Sequence, residues 1–246
     1  VLVLTLPALC CDTSSLHNLV RHLARSYATQ QGDAEETVQY LQFSEWQKEL
    51  LEEEDSDGKL WWQRATARGS DAALVLPLER NEPDAARGVV ERRLTEAETT
   101  ALDRLAHEQG KSAAVFLLAC WQVLLWRLSQ QSEFVVGYVC DGRKYEELSD
   151  ALGLFAKVVP LQARLAAGMS FHELLGQVAE ATTTAYAWQE CYEWQQHGAN
   201  GVEFEYTERP SRLSERGVAF SIYKQSHSLE AFKLHLTCAR VEDSVL

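Results

Sequence analysis

The chain has 246 residues, 46% apolar and 24% charged, the balance of an ordinary soluble globular protein long enough for one large domain or two small lobes. Its net charge of −13 argues against nucleic acid as a partner, because phosphate contacts need clustered Lys and Arg. No apolar run approaches the roughly 18–20 residues of a membrane helix, and Val1 to Leu9 is too short, and lacks the basic flank, for a signal peptide.

The first element is an apolar stretch, "VLVLTLPAL", that reads as a strand running into a bend at Asp12. A helix follows from about Ser14 to Thr29, with Leu16, Leu19, Val20 and Leu23 along one stripe. A second helical region covers about Val38 to Glu54, and "GKLWWQRAT" continues in the same character. Its acidic end, Glu49 to Asp57, is expected to be a solvated, fraying terminus, since carboxylates there oppose the helix dipole. Gly69, Pro77, Pro83 and Gly88 then break the pattern, which makes the stretch 67–88 the best linker in the chain.

Beyond it, "VVERRL" reads as a short strand. Thr95, Glu98 and Gly110 bracket a helix with a capping box at its start and a glycine stop. "SAAVFLLACWQVLLWRL" is apolar nearly all round and is expected to be a buried central helix. "EFVVGYV" is a buried strand, and "FAKVVPLQARL" an extended segment that Pro160 assigns to an edge or a bulge. Ser170 and Glu173 box a further helix, and "GVEFEYTE", "GVAFSIYK" and "AFKLHLTCARVE" close the chain as strands. Six cysteines, at 10, 11, 120, 140, 191 and 238, form no C-x-x-C pair and read as reduced, buried thiols of a cytoplasmic protein, with no metal site.

These segments, in this order, resemble the condensation domains of nonribosomal peptide synthetases. "YLQFSEWQ" (Tyr40 to Gln47) looks like the family's Y-x-D-F-A-x-W block, and "VVGYVCDGR" (Val135 to Arg143) like its strand-and-GR segment. "LGLFAKVVPLQARL" (Leu152 to Leu165) is similar to I-G-x-F-V-N-T-x-P-L-R, and "AYAWQECYEW" (Ala185 to Trp194) to H-Q-D-x-P-F-E. The resemblance implies an α/β, two-lobed chloramphenicol acetyltransferase-like fold. Residues 1–75 would be the remainder of the N-terminal lobe with the active-site loop, 76–88 the linker and 89–246 the C-terminal lobe. The two earliest family motifs and the last strands are absent, so the fold is expected to be incomplete at both ends. Carrier proteins would bring acyl groups on phosphopantetheine to a tunnel between the lobes, where an amine attacks a thioester. Adjacent synthetase domains would be the other partners; no metal or directly bound cofactor takes part.

The family's active-site motif is H-H-x-x-x-D-x-x-S. Aligned on Asp12 and Ser15, this chain reads P-A-L-C-C-D-T-S-S, so Pro7 and Ala8 occupy the histidine positions. Ala8 stands where the family has its catalytic group and has no proton to move. General acid–base catalysis is worth on the order of 10²–10⁴ in rate, and orientation about 7–11 kcal/mol, so turnover at reduced speed remains open. Cys10 and Cys11 are poor bases and are read as packing; His17 as a surface helix residue; His172 and His235 as structural. The resemblance pairs Asp12 with Arg143 as a structural ion pair, with Asp12 also able to cap its helix. Phe43 and Trp46 are expected to pack their helix onto the lobe, while Gly153, Phe155, Trp188 and Gln189 are candidates for the tunnel or lobe interface. Two further readings stand beside the condensation enzyme: a non-catalytic scaffold that docks carrier proteins or a tailoring enzyme, and an acyltransferase with another acceptor.

Overall fold

A computed structural model describes residues 1–29, 37–53, 56–66, 74–77, 79, 88–193, 201–209, 212–225, 232–241 and 244–246. Most of the expected linker, with Gly69 and Pro83, lies outside the described residues, as does Trp194. Three helices come first: α1 (Thr13–Thr29), α2 (Tyr40–Glu52) and α3 (Asp57–Thr66). Then follow α4 (Glu96–Glu108), α5 (Ala113–Ser129), β1 (Glu133–Cys140), β2 (Lys157–Arg164) and α6 (Phe171–Ala187). The chain closes with β3 (Val202–Arg209), β4 (Leu213–Glu215), β5 (Val218–Phe220), β6 (Leu234–Val241) and β7 (Ser244–Val245).

The helix boundaries follow the caps. Thr95 accepts from the Glu98 backbone N–H at 3.2 Å while the Glu98 carboxylate accepts from Thr95 N–H at 2.8 Å. At the other end Gly110 sits at φ +62°, and Lys111 N–H reaches back to the Ala106 carbonyl at 2.9 Å. Ser170 and Glu173 repeat the reciprocal box at the start of α6. Arg216 and Gly217, at φ 48° and 78°, supply the two left-handed residues that a tight β4–β5 hairpin needs.

Five strands form one sheet in the order β2-β1-β3-β6-β7, with β1, β3 and β6 parallel and β2 and β7 antiparallel on the flanks. Pro160 thus lies in an edge strand, where its missing N–H costs least. One face of the sheet carries the main core. Phe134 and Val136 of β1, Val159 and Leu161 of β2 and Phe204 of β3 pack with Leu118 and Leu125 of α5 and Leu175 and Val178 of α6. Alternation sends the intervening residues, Gly137, Glu203, Glu205, His235 and Thr237, to the opposite face.

Several expectations are corrected. Residues 1–9 form no strand: they are exposed, and Pro7 to Cys10 make a turn closed by Cys10 N–H to Pro7 O at 2.9 Å. Among the described residues no strand runs beside them, and a strand without a partner leaves its backbone groups to water. "VVERRL" is likewise extended without a ladder, making one bond to the edge strand, Leu94 N–H to Val245 O at 2.8 Å. Of "GVAFSIYK" only Val218–Phe220 is strand. The α5 helix is buried on one side and exposes Cys120, Leu124 and Leu128 on the other, with Leu124 47% exposed. In α1 the buried residues are Ser15, His17, Asn18 and Ala24, while Leu23 of the apolar stripe is exposed. His17 is therefore no surface residue. Three of the six cysteines, 140, 191 and 238, are buried; Cys10 and Cys120 are exposed and Cys11 lies between.

Candidate functional site

Why should α1 bury its polar side? The loop at 149–156 turns beside it and presents backbone groups that no strand satisfies. Asn18 Nδ2 donates to the carbonyls of Ser149 (2.8 Å) and Ala151 (3.2 Å). The Ser15 hydroxyl donates to the Gly153 carbonyl at 2.6 Å and accepts from Gly153 N–H at 2.9 Å. Arg21 and Arg25 both pair with Asp150. Polar side chains answering buried backbone groups are what folds α1 with this face inward.

Asp12 is the centre of this seam. Its Oδ1 accepts from Ser15 N–H (2.8 Å) and Arg143 Nη2 (3.0 Å). Its Oδ2 accepts from Arg143 Nη1 and from the backbone N–H groups of Phe155 and Ala156, each at 2.9 Å. One carboxylate thus caps α1, takes a two-pronged guanidinium and holds the Phe155–Ala156 turn. The side chains of Asp12 and Arg143 are 3% and 5% exposed. Burial pushes the Asp12 carboxyl up, but the Arg143 hydrogen bonds and charge, with those backbone N–H groups, outweigh it and hold it below the ordinary carboxylate value. Arg143 also reaches the Ser15 hydroxyl at 2.9 Å and lies 4.6 Å over the Phe155 ring.

Phe155 anchors an aromatic cluster. Its ring centre lies 5.2 Å from Tyr40 and 4.9 Å from Phe43, and Trp46 bridges Phe43 to Tyr145. Gly153 permits this: a Cβ there would come 2.5 Å from a Tyr40 ring carbon. Phe43, Trp46, Tyr145 and Leu148 line a cleft of about 380 Å³. A second, of about 510 Å³, lies along the outside of α4 at Glu96, Thr100 and Arg104. Neither is lined by Ala8, Asp12, Gly153, Phe155, Trp188 or Gln189. Gln189 is wholly buried and ties Gly142 N–H (3.1 Å) to the Tyr186 carbonyl (3.1 Å); the Trp188 carbonyl accepts from Trp62 Nε1 at 2.7 Å. Both residues join α3 and α6 to the loop after β1.

Pro7 and Ala8 sit in the exposed turn before Asp12. No imidazole stands there, and burial, with Asp12 alongside, pushes the Cys11 thiol up, away from any role as a base. His172 Nδ1 lies 2.8 Å from Gln109 Oε1, away from this turn. Two side chains the sequence reading passed over, Glu203 and Glu205, are buried on the open face of the sheet with His235 between them. Glutamates at alternate positions of "GVEFEYTE" were the available signal: charges facing inward opposite an apolar face. Lys157, also overlooked, has its amine lowered to about 8 by burial, against the pull of Glu190. Among the described residues no three His, Cys, Asp or Glu side chains come together as a metal site. No single helix among them is long and apolar enough to cross a membrane.

A family model described as Condensation domain matches residues 2–242. The chain belongs to the condensation-domain family. It is 31% identical to a linear gramicidin synthase of Brevibacillus parabrevis over 198 residues, 77% of this chain and 3% of that protein. It is 34% identical to phosphinothricin tripeptide synthetase PhsC of Streptomyces viridochromogenes over 156 residues, 62% of this chain and 14% of that one. Among solved structures it superposes on the complex of the X-domain and OxyB from teicoplanin biosynthesis with a TM-score of 0.69 at 21% identity. That match covers 97% of this chain and 59% of the solved one. The chain therefore spans a small part of these synthetases and about three fifths of the solved domain. The α/β condensation-domain fold is the one the sequence blocks implied.

Proposed function

We propose that this condensation domain works within a nonribosomal peptide synthetase in the cytoplasm, joining carrier-tethered aminoacyl or peptidyl thioesters through an amide bond. The Asp12 seam carries this reading. Four hydrogen bonds accepted by Asp12 hold the active-site turn against the loop after β1 and a fifth caps α1, although the residues at the histidine positions are Pro7 and Ala8. A turn kept in register supports catalysis by orientation, the part of the barrier that needs no imidazole. Phosphopantetheine arms of partner carrier proteins would deliver both substrates, with no cofactor bound to the chain itself, and neighbouring synthetase domains would be its partners. The lobe division at 76–88 belongs to the same proposal.

A second reading has support of its own: a docking module without turnover. The exposed Pro7–Ala8 turn favours it, and the X-domain, of the same fold, was solved together with OxyB. The same fold serving unlike tasks also keeps an acyltransferase with a hydroxyl acceptor in view. The experiment loads donor and acceptor carriers, adds the intact protein and follows the products by whole-protein mass spectrometry. Dipeptidyl-carrier mass above a no-domain control supports condensation. Carrier binding with no product supports docking, and an ester product the third reading.

A further inference from the structure

The cleft beside the aromatic cluster has no part in the condensation reading. Its wall is set by α2, where Phe43 and Trp46 stand three residues apart on one helix face. Their rings lie 5.6 Å apart at 43°, and Trp46 meets Tyr145 at 5.7 Å and 89°. Three rings set at steep angles thus border one space. Phe43 and Leu148 are buried, while Trp46 and Tyr145 are 37% and 42% exposed, so the cleft opens at the indole and phenol and closes towards Phe43. Its volume of about 380 Å³ falls within the roughly 300–1,000 Å³ of small-molecule sites.

Charge narrows what such a space holds. Glu147 is the single charged residue among the described residues of the lining, and it is exposed. Among the described residues no cation lies within ion-pair distance of it. The lysines nearby are engaged elsewhere: Lys144 with Glu190 at 3.7 Å and the Ala187 carbonyl at 2.8 Å, Lys48 with Glu52 at 3.8 Å. Gln42 uses its Oε1 to accept from the Gln39 N–H at 2.9 Å. The neighbouring rings already draw cations from outside the cleft, Lys144 to Tyr145 at 5.6 Å and Lys157 to Phe43 at 5.7 Å. Trp46 has the ring that holds a cation best, and among the described residues none stacks on it. An anion finds no positive partner in this lining, and a neutral apolar molecule leaves the carboxylate unanswered. A cation with an apolar body answers both.

We propose that this cleft binds a small organic ammonium, its nitrogen over the Trp46 indole and beside the Glu147 carboxylate, its apolar body along Phe43, Leu148 and Val38. The class is an amine carrying an aryl or alkyl chain. The site is separate from the Pro7–Ala8 turn but backs onto the Asp12 seam: Phe43 packs 4.9 Å from Phe155, whose N–H donates to Asp12 at 2.9 Å. Occupancy therefore stabilises the fold by mass action, and the proposal stands whether or not the domain turns over.

The test titrates phenethylammonium, and its neutral counterpart 2-phenylethanol, into the intact protein by calorimetry, with melting temperature read alongside. Phenethylammonium should bind saturably at one site with a Kd of about 1 mM or below and raise the melting temperature, and 2-phenylethanol should bind at least about fivefold more weakly. Trp46→Leu keeps an apolar wall and removes the indole face; Glu147→Gln removes one exposed charge. Each should weaken binding about 2–5-fold, and the two together about tenfold. Equal affinity for the amine and the alcohol, or a titration that never saturates, overturns the proposal. Full affinity in the double variant does the same. Should Trp46→Leu lower the melting temperature, Glu147→Gln and Glu147→Lys decide: the reversed charge should abolish binding of the ammonium, and binding that survives it overturns the assignment.

Discussion

Two buried carboxylate clusters lie either side of Thr13, and they are built to opposite ends. At Asp12 one carboxylate meets one guanidinium and three backbone N–H groups, charge is balanced, and the donors come from separate stretches of the chain. At Glu205 the contacts include the hydroxyls of Thr13 and Thr237 and the His235 ring, a titratable group that also meets Glu203. The first arrangement fixes a backbone; the second ties α1 to two neighbouring strands through a titratable ring. A charge-balanced seam resists change because every partner removed leaves a buried group bare. A cluster held through an imidazole changes with pH instead.

The sharpest way to break this contrast is to take one partner from the seam. Arg143→Met should cost about 3–5 kcal/mol in urea unfolding, since it leaves the Asp12 carboxylate buried and unpaired. A loss under about 1 kcal/mol would mean the seam does not hold the turn. Next, Gly153→Ala places a methyl against the Tyr40 ring and should cost roughly 1–3 kcal/mol, with Tyr40→Ala recovering part of it. The pH dependence of stability separates the clusters by sign. The Asp12 carboxyl is lowered by folding, so its contribution is present above its ordinary value of 3.8 and is lost as pH falls below it towards the folded value. The His235 value is raised, so its contribution is complete below 6.5 and fades as pH rises through about 9. Asp12→Asn should flatten the acid limb of a melting-temperature profile and Glu203→Gln the alkaline one, each leaving the other limb in place.

Local chemistry was legible in the sequence wherever a short motif decides the outcome. Thr95 with Glu98, Ser170 with Glu173 and Gly110 set their helix ends through bonds spanning a few residues, and no distant partner can overrule them. The four family blocks likewise carried the fold. What depends on neighbours was not legible. Val1 to Leu9 has a strand's composition, but a ladder needs a second strand, and the sequence cannot say whether one lies alongside. The leucine stripe of α1 has the periodicity of a buried face, yet the carbonyls at 149, 151 and 153 recruit Ser15 and Asn18 and turn the helix round. His235 read as structural because its partners, far earlier in the chain, meet it only through the β3–β6 register. The alternate glutamates 203 and 205 were visible in the sequence, but such a pattern also fits a solvated face, and only contacts from Thr13 and His235 show it to be buried.

The plainest test is dipeptidyl-carrier formation by the intact wild-type protein and by Arg143→Lys, read beside the melting temperature on one preparation. Product above a no-domain control, falling in Arg143→Lys by more than the folded fraction, is the result expected if the seam holds the turn for orientation. Wild-type carrier binding without product, or a rate per folded molecule that Arg143→Lys leaves intact, would contradict it.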